Sequence, residues 1–260
     1  MVVPGDGSID ASARRSQPIR SYHARHGRAR PSQLATLESL WPHYGVNFPN
    51  DHAEPGLTRA RVLNGSTGCV ARLFEPRLPV VLDIGFGMGD VTATMAAAEP
   101  DVGILAVDVH RPGVVRLLAL AQAGSLTNVR VARGDVKVLL ERGIPPASIA
   151  GARIFFPDPW PKKRHHKRRL IGHEFIGLLA DRVAPSGILH LATDWAEYAD
   201  EMRTALEEQP GLVRLAVTES QGPPREPDHD RLRPWRPETP YERVGREAGR
   251  VVTDLVYRRR

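Results

Sequence analysis

The sequence predicts an α/β chain built on a doubly wound, mostly parallel sheet. Two observations predict it. From Pro79 onward, short apolar runs of strand length alternate with segments of helix length, the order that a parallel sheet with covering helices requires. The first of those runs, "VVLDI", passes directly into a glycine-rich turn, "GFGMGD", that opens a helix. A length of 260 residues, 41% apolar and 25% charged, suits one such core with extensions.

Taken in order, residues 1–18 are rich in Gly, Ser, Pro and Arg without apolar period and read as a mobile basic tail. Residues 19–78 read as an N-terminal extension with one short helix at 31–40, where Pro31, Ser32 and Gln33 form the first turn. A strand is placed near 69–74. The main domain is 79–260. Its strands are expected at "VVLDI", "GILAVDV", "NVRVARG", "ARIFFP" and "GILHLAT", with helices at 88–98, 112–123, 136–141 and 168–183. Beyond Thr193, the residues Trp195, Tyr198, Ala199, Met202, Ala205 and Leu206 fall on one helical face, and Thr193 or Asp194 can cap its start. "VVTDLVY" reads as a further strand in the sheet's edge region, and the Pro-rich stretch 221–240 as a long loop on the ligand side.

Charge narrows the partner. The net charge is +6, and its distribution says more than its total: six Arg and no acid between Arg14 and Arg30, six Lys or Arg and no acid between Lys162 and Arg169, and "YRRR" at the end. Three such clusters favour nucleic acid over a merely basic surface. No apolar run is long enough to cross a bilayer. The N-terminus lacks the order of a secretory signal, and the single Cys69 can form no internal disulfide, so the cytoplasm is the expected compartment.

Gly85, Gly87 and Gly89 follow a strand and precede a helix, where glycine lets the chain turn sharply and lets a ligand approach main-chain NH groups. The spacing is not that of a dinucleotide fingerprint, since Asp90 stands where the third glycine would be. Asp83 on the strand would repel a pyrophosphate and suits a ligand with positive charge. Asp108 and Asp135 end the next two strands, so three carboxylates meet at the crevice where open α/β sheets bind ligands. S-adenosylmethionine fits them, with its ribose and adenine edge toward Asp108 and Asp135 and its cationic groups near Asp83. Each acid alone reads equally well as a helix N-cap. Residues 155–169, "FFPDPWPKKRHHKRR", set Asp158 between prolines ahead of the basic run. Adjacent His165 and His166 with one cysteine make a poor zinc site, so no metal is expected.

These segments, with "VDVHRPGV", "ATDWAEYADEM" and "RPETPYERVGREAGRVVTDLVYRR", resemble the bacterial tRNA (guanine-N7)-methyltransferases from about Arg20 to the C-terminus. The glycine loop is generic to methyltransferases, whereas "FPDPWPKKRHHKRR" with "TDW" and "TPYE" downstream is specific. The resemblance implies a seven-stranded methyltransferase sheet of class I, Rossmann-like type with its last strand antiparallel, S-adenosylmethionine as cofactor and tRNA as partner. It assigns cofactor positions to Asp83, Asp108, Asp135 and Asp158, and makes Asp158 also the catalytic residue. Lys162, Asp194, Thr239, Pro240, Tyr241 and Glu242 take substrate positions. Two departures are visible: Asp stands at 83 and 108 where relatives commonly carry Glu, and Pro240 replaces the lysine of the family's "TKFE".

Guanine N7 carries an in-plane lone pair at neutral pH, so methylating it needs positioning rather than a base. A carboxylate beside the ring stabilises the charge that develops, and Asp158 is the expected source. Lys163, Arg164, Lys167 and Arg168 are expected on RNA phosphates. Two rivals are methylation of an exocyclic amine and a non-catalytic RNA-binding module on the same fold.

Overall fold

The computed structural model describes residues 30–49, 60–65, 70–222 and 235–260. The basic tail, Cys69 and most of the Pro-rich stretch lie outside these. Helix α1 (Pro31–Tyr44) runs one turn beyond the expected end and through Pro42. Pro42 forfeits one intrahelical bond on an exposed face, while Trp41 beyond Leu40 is 2% exposed and anchors the last turn in the core. Trp41 Nε1 donates to Asn47 Oδ1 at 3.0 Å, tying the helix to β1 (Gly45–Asn47). β1 and the two-residue β2 (Arg61–Val62) were not anticipated. The strand expected near 69–74 is instead a 3-10 turn, Val70–Leu73, which buries Val70 and Leu73.

The central elements follow the expected order: β3 (Val80–Ile84), α2 (Asp90–Ala98), β4 (Gly103–Asp108), α3 (Arg111–Ala123), β5 (Val129–Arg133), α4 (Val136–Arg142) and β6 (Ile149–Phe155). The helix expected at 168–183 starts later, as α5 (His173–Arg182), and the basic run ahead of it forms a 3-10 turn, Lys163–Arg168. β7 (Val183–Thr193) and α6 (Ala196–Glu207) follow, then β8 (Leu212–Ser220), α7 (Pro240–Glu247) and β9 (Val252–Arg259). Neither β8 nor α7 was expected.

The strands form one sheet in the order β2-β1-β5-β4-β3-β6-β7-β9-β8. All pairings from β2 across to β7 are parallel, and β9 is antiparallel to both β7 and β8. The chain's last strand is thus antiparallel as expected, but it sits one strand inside the edge, and the described sheet has nine strands because β1 and β2 extend it. Alternation along the strands feeds two cores: Ile104 and Ala106 of β4 face Leu37, Trp41, Val114 and Leu117, under α1 and α3, while Leu105 and Val107 face the layer of α4, α5 and α6. The segment read as an extension therefore contributes two strands to the same sheet and a helix that packs on it. After β5 the chain returns to the other side of β3, so the order reverses between β3 and β6. The crevice outside those strand ends is where such sheets hold ligands.

Candidate active site

The glycine loop forms the floor of that crevice. Gly85, Gly87 and Gly89 all have positive φ, at 72°, 60° and 82°, a region side chains rarely enter. Nothing lies within 4 Å of where a Cβ on Gly85 would stand, so the loop is open there. Asp108 locks it from β4: its Oδ2 accepts from Gly87 N at 2.9 Å and its Oδ1 from His110 N at 2.8 Å. Burial raises the Asp108 pKa and these backbone donors oppose the rise. Asp83 is 5% exposed and accepts from Thr92 Oγ1 at 2.7 Å. Burial raises its pKa too, with the Thr92 bond and Arg153 pulling down, and a cationic group beside it would further favour the charged form. Asp135 caps α4, accepting from Lys137 N at 2.9 Å. The N-cap role, which its sequence left open, is present, and Gly134 N to Asp108 O at 3.1 Å keeps it next to the β4 end.

One cleft is lined by Asp83, the glycine loop, Thr92, Phe155, Thr239, Pro240 and Tyr241. Tyr241 is 64% exposed, and its ring edge lies 3.9 Å from a Cβ built on Gly87. The structure therefore brings together the glycine loop and the start of α7, about 150 residues apart in the chain. Asp108, Asp135, Asp158, Lys162, Asp194 and Glu242 are not among the lining residues. Asp158 is exposed, three residues past Phe155 at the β6 end. The turns on either side of it are unusual: Phe156 and Trp160 have φ of 51° and 45°. Phe156 N donates to Ala192 O at 2.8 Å and Arg169 Nε to Pro159 O at 2.8 Å, pinning both sides of the loop.

Two residues expected to touch substrate hold α7 in place. Glu242 is 1% exposed, closes a capping box with Thr239, and pairs with Arg236. Asp194 does not cap α6. Its Oδ2 lies 3.0 Å from Arg250 Nε, while Trp195 N donates to Thr193 Oγ1 at 3.3 Å. The basic run has two sides. Lys162, Lys163, Arg164 and Lys167 are exposed. Arg168 lies over the Trp160 ring at 5.0 Å. Arg169 is buried with its Nη1 2.6 Å from Glu201. Among the described residues, His166, Glu197 and Glu201 are the one His/acid grouping tight enough for a metal ion, but Arg169 already brings positive charge to it.

Sequence reasoning missed Arg236, Asp254 and His190. Arg236 is 3% exposed and grips Asp254 through two bonds, Nε to Oδ1 at 2.7 Å and Nη2 to Oδ2 at 2.9 Å. His190 Nε2 lies 2.8 Å from Asp254 Oδ1. Burial pushes the Asp254 pKa up, but His190 and Arg236 overrule it and hold it at about 2. Burial lowers the His190 pKa, so the ring is neutral and donates through Nε2. A lone acid inside the apolar run "VVTDLVY" was the available signal, because a carboxylate in a buried strand demands a partner.

A methyltransferase family model, Methyltransf_4, matches residues 77–255. A Streptomyces avermitilis protein named tRNA (guanine-N(7)-)-methyltransferase is 45% identical over 242 residues, 93% of this chain and 75% of that one. This chain belongs to the tRNA (guanine-N7)-methyltransferase family. A relative of the same name from Halorhodospira halophila is 44% identical over 247 residues, covering 94% of this chain and 97% of its own. Membership makes this an enzyme that uses a methyl donor, and no described helix is long and apolar enough to cross a membrane.

Proposed function

We propose that this enzyme transfers a methyl group from S-adenosylmethionine to N7 of a guanine in the variable loop of tRNA, in the cytoplasm. One observation carries the reading: the glycine loop and Thr239, Pro240 and Tyr241 of the "TPYE" segment line a single cleft at the sheet's switch point. S-adenosylmethionine, when bound, supplies an electrophilic methyl group. The chain's own residues orient and stabilise. Asp108 fixes the loop and keeps lone pairs for ribose hydroxyls, Asp83 offers a buried carboxylate to a cationic group, and Gly85 leaves room for close approach. Asp135, beside Asp108, completes the adenine side.

Asp158 stabilises the positive charge that develops on the purine and accepts hydrogen bonds from its N1 and N2 groups. Lys162, Lys163, Arg164 and Lys167 hold phosphates, and Arg168 does so from its seat on Trp160. Pro240 and Tyr241 face the substrate, while Thr239, Glu242 and Asp194 serve it by fixing α7. The nucleophile needs no deprotonation, so the reaction calls for no metal. Incubating tRNA with enzyme and S-adenosylmethionine, then cleaving selectively at 7-methylguanine, should cut at one variable-loop position. A transcript with 7-deazaguanine there should accept no methyl group; methylation of that transcript would mean attack through the exocyclic amine.

A further inference from the structure

Arg236 joins three elements beside the cleft: β9, α7 and the end of β6. One edge of its guanidinium grips Asp254 on β9, and the other pairs with Glu242, whose carboxylate also accepts from Thr239 N at the start of α7. Burial would push the Arg236 pKa down, but these ion pairs raise it, so the charge is permanent. The guanidinium also lies by the rings of Phe155, at 5.7 Å, and Phe156, at 5.3 Å. His190, bonded to the same Asp254, meets the Phe155 ring edge-on at 5.0 Å.

Phe156 is the residue that turns the chain out of β6, and its φ of 51° lies in a region that side-chain-bearing residues rarely adopt. That conformation sets the direction in which Pro157 and Asp158 leave the sheet. It persists only where the surroundings overdetermine it. Here Phe156 N is bonded to Ala192 O, and the ring is covered by Arg236. The same guanidinium, through Glu242, sets where Thr239, Pro240 and Tyr241 stand against the glycine loop. A lysine would keep the charge but could not grip two carboxylates and lie flat on a ring.

We propose that Arg236 is a positioning residue for methyl transfer, fixing the Asp158 loop relative to the α7 wall of the cleft. The inference rests on the reading of Asp158 as the catalytic carboxylate. It is tested by single-turnover methylation of tRNA, both ligands saturating, in four variants: Asp158→Asn, Arg236→Lys, their double mutant and Phe156→Leu, which leaves every ion pair intact. Asp158→Asn alone tests the underlying reading: a fall of roughly a hundredfold is expected, and a rate within about threefold of the parent removes it. Given that fall, Arg236→Lys should slow the parent at least thirtyfold and Phe156→Leu roughly tenfold, with dissociation constants for tRNA and S-adenosylhomocysteine changed less than threefold. In the Asp158→Asn background, Arg236→Lys should cost less than threefold, because a misplaced carboxylate cannot matter once it is gone. Equal losses in the two backgrounds would make Arg236 a stability residue only and overturn the proposal. If Arg236→Lys does not fold, Phe156→Leu decides, and a rate within threefold of the parent overturns it.

Discussion

Gly113 has no freedom to become alanine. A Cβ there would stand 1.8 Å from the carbonyl oxygen of Gly87, a backbone atom of the loop that Asp108 holds by its NH. One turn further along α3, Leu117 packs its Cβ 2.7 Å from where a Cβ on Gly89 would be, so helix and loop meet at backbone contact distance. Gly→Ala inside a helix ordinarily stabilises by about 1 kcal/mol through propensity. Here the two effects have opposite sign and fall on different observables. Gly113→Ala should keep most of its helical stability and weaken binding of S-adenosylhomocysteine at least tenfold by calorimetry, because the loop must move off Asp108. Unchanged affinity would mean that the close approach of α3 does not shape the cofactor loop. The glycine loop was legible in the sequence by its spacing after a strand, whereas Gly113 was not. "RPGVV" shows a helix start, and nothing in it says that the opposing surface is a carbonyl.

The 3-10 turn Lys163–Arg168 shows why a run of charges is not one functional unit. Its residues diverge, and then Arg169 and His166 turn toward Glu197 and Glu201 on α6, with Arg169 bonded to the loop that carries Asp158. The outward residues Lys163, Arg164 and Lys167 remain for solvent or RNA. Replacing these three by Ser should flatten the log-log salt dependence of tRNA binding by about 0.7–0.9 for each phosphate no longer neutralised, leaving cofactor affinity unchanged. Arg169→Gln should leave the salt slope alone and lower the melting temperature. A slope that shifts with Arg169 and not with the other three would reverse the assignment of faces. Two of the elements that escaped sequence reading did so for separate physical reasons. The buried side of α7 is Glu242 and Gly245, held by ion pairs at both ends, so no apolar stripe announces it. β1 is three residues long, too short for alternation to register.

At the scale of the molecule, strands β3 to β7 were legible because each carries apolar residues buried on both faces of the sheet, and the crevice followed from their order. The network that joins β7, β9 and α7 was not, since His190, Arg236 and Asp254 are brought together only by folding. That network makes a prediction about acid. The Asp254 carboxyl has a folded pKa of about 2 against an ordinary 3.8, a depressed value, so the stability it contributes is present above 3.8 and is lost as pH falls toward 2. The difference amounts to roughly 2 kcal/mol. His190 adds in the same direction at higher pH: its folded value is lowered, so below 6.5 the unfolded chain takes up a proton that the folded chain refuses. Protonation would also place a second N–H at Nδ1, a buried atom with no hydrogen-bond partner. Asp83 and Asp108 act oppositely, since their raised values let the folded state bind protons before the unfolded chain does and offset part of the loss as pH falls. Asp254→Asn isolates the Asp254 carboxyl below pH 4, because it removes that titration there and leaves those of Asp83 and Asp108 in place. Urea unfolding should find the variant less stable than the parent at pH 7, and the two curves should converge as pH falls from about 4 to 2, where the parent's own carboxyl becomes neutral. Curves that stay parallel over that range would show that the Asp254 charge does not hold the network together.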